Sequence, residues 1–110
     1  MNKFADVPEI PRDDALRAFS SGNTEEICRA LIAVTFHDPD FRWVQELCLR
    51  FLSSEDGQIS GLAATCLGHL ARIHRNIDKE KVLVALRHHL SDVEICGKVE
   101  DAIDDIETFV

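Results

Sequence analysis

Two stretches, "ISGLAATCLGHLARI" (Ile59 to Ile73) and "ICGKVEDAIDDIETF" (Ile95 to Phe109), superpose without a gap at an offset of 36 residues. Ile59 falls on Ile95, Ala63 on Val99, Cys66 on Ala102, Leu67 on Ile103, Leu70 on Ile106 and Gly61 on Gly97. Within each stretch the apolar positions recur every three or four residues, the spacing of one buried helical stripe. The same step backwards brings Ile27, Ala30, Leu31 and Val34 into register, and the segments between match more loosely, Val44 with Val82, Cys48 with Leu86 and Leu52 with Leu90. A helical unit that recurs in this way buries its stripe against the neighbouring unit. The chain is thereby constrained to stacked helical pairs, the pattern of an alpha-solenoid.

Punctuation along the chain places the helices. Pro11 can open a first short helix through Phe19, "SSGN" breaks it, and Asn23 can cap a second helix from about Thr24 to Phe36. In "HDPDF", Asp38 is read as the cap and Pro39 as the first residue of a third helix, whose stripe is Phe41, Val44, Leu47, Cys48, Phe51 and Leu52. "SSEDG" ends it. A fourth helix is predicted from about Gln58 to His74, a fifth from about Lys79 to Leu90 after an Asp78 cap, and a sixth from about Val93 to Phe109. No alternating strand pattern competes. The expectation is a single all-α domain over 1–110, built as about three antiparallel hairpins near 11–36, 38–74 and 78–109.

The formal net charge of -8 argues against nucleic acid or an anionic membrane as partner, because both attract basic surfaces. A basic protein is the complementary choice. Cys28, Cys48, Cys66 and Cys96 show no CxxC spacing and sit within apolar helical patterns, which suits reduced, buried thiols. "MNKFADVPEIPRDD" has no apolar h-region and no run of about 18 apolar residues occurs, so a cytoplasmic protein is expected.

Catalytic signatures are missing. There is no GxSxG, P-loop or Rossmann glycine pattern. Five histidines, His37, His69, His74, His88 and His89, raise the question of a metal. Cys66 and His69 are spaced to meet on a helix, but no further ligands have suitable spacing, and the adjacent His88 and His89 diverge. No cofactor, metal or catalytic residue is assigned, and the chain is read as a non-enzyme. Gly61, Gly68 and Gly97 inside helices are read as points of close helix approach. Trp43 lies off the Val44, Leu47 and Phe51 stripe and serves either as a wedge between hairpins or as an interface anchor.

The closing segment, "VEDAIDDIETFV", contains five acids and no basic residue. Projected on a helix, Glu94, Asp101 and Asp105 line one flank and Glu100, Asp104 and Glu107 the other. Acids near a helix C-terminus oppose the macrodipole. Their placement, with no compensating base nearby in sequence, points to use by a basic partner; the alternative reading is a solvated, solubilising face of a terminal helix. The outward positions of the second helices in register are Glu25 and Arg29, then Gly61, Thr65 and His69, then Asp101 and Asp105.

"HDPDFRWVQELCLRFLSSEDGQISGLAATCLGHLARI" resembles a HEAT-type repeat, with its aspartate-proline opening and small residues in "AATCLGHL". "CLGHLARIH" followed by "VEDAIDDIETF" resembles small bacterial HEAT-like immunity proteins of contact-dependent growth inhibition and related polymorphic toxin systems. The likeness covers chiefly the second half, and the first pair is expected to act as a cap. It implies a cytoplasmic antitoxin that neutralises a cognate toxin domain, a basic nuclease such as an RNase; the sequence leaves the oligomeric state open, with a monomer as the expectation. The contact residues singled out for that role are Asp101, Asp104, Asp105 and Glu107, then Glu100 and Glu94, with His69 and Trp43. A HEAT-type adaptor without inhibitory role is the alternative, and a metal-dependent enzyme built on the histidines and acids stands third.

Overall fold

Side chains that satisfy the free N–H groups at helix starts set most of the element boundaries. In the computed structural model, which describes residues 7–110, six α-helices and no strands occur among the described residues. They are α1 (Arg12–Phe19), α2 (Thr24–His37), α3 (Phe41–Leu52), α4 (Gly57–His74), α5 (Lys79–Arg87) and α6 (Cys96–Phe109). Asn23 caps α2 by accepting from the Glu26 N–H, as its position predicts. The cap of α3 is Asp40, whose carboxylate accepts from the Trp43 N–H, and not Asp38. Asp38 instead closes α2, accepts from the Asp40 N–H and takes Arg12 at 3.0 Å, so it joins three segments. Asp56 caps α4 through the Gln58 N–H and also accepts from the Thr24 hydroxyl at 2.6 Å, tying the starts of α2 and α4.

Two boundaries differ from expectation for local reasons. Helix α5 stops at Arg87, and residues 88–95 turn through short backbone bonds such as His89 N–H to Leu86 and Cys96 N–H to Asp92 before α6 begins. Asp92 draws the Glu94 N–H to its carboxylate, a side-chain turn that competes with helix. Glu94 therefore lies ahead of α6 rather than on its flank.

Helix α4 is central, packed against α2, α3 and α6, while α1 packs on α2 and α5 on α6. The 36-residue register is visible in burial: Ile59, Ala63, Cys66 and Leu70 of α4, Ile95, Val99, Ala102 and Ile106 at α6, and Ile27, Ala30, Leu31 and Val34 of α2 are all buried. Leu67 is buried as well, whereas its counterpart Ile103 is only partly so. Small residues let α6 approach α4 closely. A Cβ on Gly68 would lie 3.3 Å from the Ala102 Cα, and one on Gly61 would press on the Lys98 stem. Gly97 has open space around it, so close approach is not its reason for being there.

Polar contacts hold the first helices of the pairs. Gln45, fully buried on α3, accepts from the Asp78 N–H at 2.8 Å and donates to the Asp78 carboxylate at 2.9 Å, fastening α3 to the start of α5. Lys81 reinforces this with Glu46 at 2.8 Å. Trp43 is half-buried against the core beneath the Arg12 guanidinium, 3.9 Å from its ring centroid. It therefore sits between the first and second pairs, the wedge position. Cys48 and Cys66 are buried side by side with Thr35, and their shared hydrogen bond, then burial, push the Cys48 thiol well above its ordinary value. Cys28 and Cys96 are part-exposed instead of buried.

Candidate functional site

Because α2, α4 and α6 lie side by side, their outward residues meet in two adjoining clefts. The first, about 410 Å³, runs between α4 and α6 and is lined by Thr65, His69, Arg72, Lys98, Asp101, Ala102, Asp104 and Asp105. The second, also about 410 Å³, lies between α2 and α4, with Val7 from the segment ahead of α1 and Ile32, Phe36, Leu62 and Cys66 as its apolar lining. Thr65 and His69 line both.

The charged cleft is less one-sided than the acidic segment suggests. Three carboxylates face two cations, and Arg72 reaches Asp105 at 2.8 Å, where the Asp105 side chain is only 22% exposed. Asp105 is thus part of the α4–α6 packing. Glu107 faces the other way, 3.7 Å from Arg87 at the end of α5, and the Phe109 ring lies under Arg72 and Arg75. Asp105 and Glu107 near the end of α6 are thus offset by arginines of other helices, which corrects for these two acids the expectation that nothing local offsets them. Glu94 places its carboxylate over Gly57 at the start of α4. Glu100 is exposed on α6. Among the described residues, Asp101 and Asp104 form no ion pair, and both are exposed to the cleft.

His69 is half-buried, 5.1 Å from the Phe36 ring. Burial, and then the Arg72 charge, hold its imidazole below the usual histidine value, while Asp105 pulls the other way. The remaining histidines are dispersed: His37 bonds the Val7 carbonyl at 2.6 Å, and His74 packs on Phe41 at 5.5 Å. No group of three or more His, Cys, Asp or Glu side chains converges as a metal site among the described residues.

Of the residues singled out from sequence, His69, Asp101, Asp104 and Asp105 come together in one cleft. Glu94, Glu100, Glu107 and Trp43 are not among its lining. Lys98 and Arg72 were missed, although Lys98 is three residues before Asp101 and Arg72 three after His69, spacings that place each on the same helix face. Ile32, Phe36 and Leu62 were missed because apolar residues beside a core stripe read as core. Glu25 and Arg29 pair with each other at 2.9 Å, and Arg29 lines a separate cleft between α1 and α2.

No family model matches the chain, and no curated protein does. A solved structure does: a chain of the crystal structure of a CDI complex from Cupriavidus taiwanensis LMG 19424, at a TM-score of 0.85 and 26% identity. The match covers 93% of this chain and 90% of that one. The fold is that of a chain in a CDI complex. Both clefts therefore belong to a scaffold that, in the Cupriavidus protein, occurs in a complex. No helix of the described residues is long and apolar enough to cross a membrane.

Proposed function

We propose that this chain is an immunity protein of contact-dependent growth inhibition, which binds a cognate toxin domain and neutralises it without doing chemistry itself. The observation that carries the reading is the near full-length likeness to a chain of a CDI complex. The helical period and the contact of α1 with α2, of α3 with α4 and of α5 with α6 support a short HEAT-like solenoid as its architecture. The toxin is a basic nuclease such as an RNase, because the surface that holds phosphate is positive and an acidic partner complements it. The protein acts as a monomer in the cytoplasm.

Asp101 and Asp104 lead the contact, being exposed and without an ion-pair partner among the described residues. Glu100 extends the same acidic surface, and Glu107 and Glu94 contribute at its margins. Asp105 supports the cleft through Arg72. Long-range attraction between this surface and a basic toxin raises the association rate and selects the cognate pair.

The test is co-expression with the C-terminal domain of the secreted protein encoded immediately upstream. The domain should kill the host alone, and the pair should restore growth and co-purify. Asp101→Lys with Asp104→Lys should keep full helicity and weaken binding by about tenfold or more, chiefly in association rate and most at low salt. A domain that kills regardless of this protein, with no complex, defeats the reading.

A further inference from the structure

We infer that Lys98 lets the cleft between α4 and α6 tell its toxin from other basic proteins, by pairing with a toxin carboxylate set beside the cations that meet Asp101 and Asp104. The inference rests on the immunity reading and adds to it a charge that an all-basic partner leaves unmatched. Arg72 and Asp105 neutralise each other at 2.8 Å. What the cleft then offers a partner is Asp101, Asp104 and Lys98, all exposed and none in an ion pair among the described residues.

Helix physics alone would not place a lysine at this position. Lys98 lies in the first turn of α6, where the macrodipole disfavours a cation and favours an acid, and this helix start has neither an acid nor a side-chain cap. Asp101, three residues on, is spaced for an ion pair with it, yet none forms. The stem instead lies across Gly61 of α4: a Cβ there would stand 3.0 Å from the Lys98 Cδ and 3.3 Å from its Nζ. The missing side chain on α4 leaves the ammonium its place at the cleft. Asp105 and Glu107 also oppose the dipole, but arginines offset them, whereas Lys98 has no compensating group among the described residues.

Charge decides the class of partner group. A surface of cations alone is drawn to Asp101 and Asp104 but brings like charge against Lys98 as water is excluded, and a cation left unpaired in an interface lowers affinity. A surface that sets a carboxylate among its cations matches all three. Selectivity then comes from repelling the first surface as well as from attracting the second.

Lys98→Glu separates this pairing from long-range attraction, because the two predict opposite signs. Association and dissociation rates are measured between the upstream-encoded toxin domain and the parent or the variant, after a check that the variant keeps its helicity. Association should be unchanged or up to about threefold faster, since the protein becomes more acidic. Faster dissociation should nevertheless lower the affinity about 30-fold or more. Among toxin variants with single surface acids changed to lysine, one should restore tight binding to Lys98→Glu and weaken binding to the parent.

If Lys98→Glu binds the toxin as tightly as the parent, or more tightly, the inference is overturned, the cleft is a plain acidic surface and the immunity reading stands. Weakening that no acid reversal in the toxin relieves assigns Lys98 to the packing of the cleft and also overturns the inference. Absence of any complex with the parent marks failure of the immunity reading itself, and the inference falls with it.

Discussion

Gly68 and Gly97 are both helical glycines, and their surroundings give opposite consequences for the same substitution. A Cβ at Gly68 would lie 2.8 Å from an Asp105 carboxylate oxygen and 3.3 Å from backbone of α6, so Gly68→Ala must displace the Asp105 carboxylate from its place beside Arg72 and press on the α6 backbone. Overpacking of this kind costs about 1–3 kcal/mol and outweighs the gain of about 1 kcal/mol in helix propensity. Gly97→Ala meets nothing and should stabilise by about 0.5 kcal/mol. Urea unfolding of the two variants gives both signs. Gln45→Ala leaves the Asp78 N–H and carboxylate without their buried partner and should cost about 1–3 kcal/mol in the same assay. His69 adds a pH dependence. Its folded value is depressed, so the unfolded chain binds more protons as acid is added. Stability is complete above about pH 6.5, the unfolded value, and falls below it. His69→Gln should flatten that part of the profile. Glu46 and Asp56, whose carboxyls are held low by Lys81 and Thr24, act only at lower pH.

At the scale of the element, α6 shows where sequence reasoning was sound and where it stopped. The stripe from Ile95 to Ile106 was legible because burial imposes a strict period of three and four on residue type. The fate of the acids was not, because ion pairs reach between helices far apart in sequence: Arg72 lies 33 residues from Asp105. The fifth helix and the start of the sixth were overrun for a similar reason. Apolar Leu90 and Val93 suggested continuing helix, yet both are exposed in the intervening turn. Asp38 was mistaken for the cap of α3 because Asp-Pro-Asp offers two candidates, and Arg12, which draws Asp38 away, comes from α1. The difference between paired and unpaired acids has a measurable result. Asp105→Lys should lower thermal stability by bringing like charge against Arg72, whereas Asp101→Lys should leave it within about 0.5 kcal/mol.

For the whole molecule, the six helices pack around α4, and the principal extents of 32, 28 and 28 Å are nearly equal. What the arrangement provides is a face on which α2, α4 and α6 bring an apolar groove and a charged cleft together, with Val7 ahead of α1 completing the groove's lining. The acidic half was foreseen through residue type, and the apolar half emerged only from packing. The central claim is that this face holds a toxin domain. Its most direct measurement is the dissociation constant, by calorimetry, between the purified protein and the toxin domain encoded upstream, for the parent and for Asp101→Lys with Asp104→Lys. A tight one-to-one complex, weakened about tenfold or more by the reversal with unchanged helicity, is the predicted result. A complex equally tight after reversal would contradict the face assigned here.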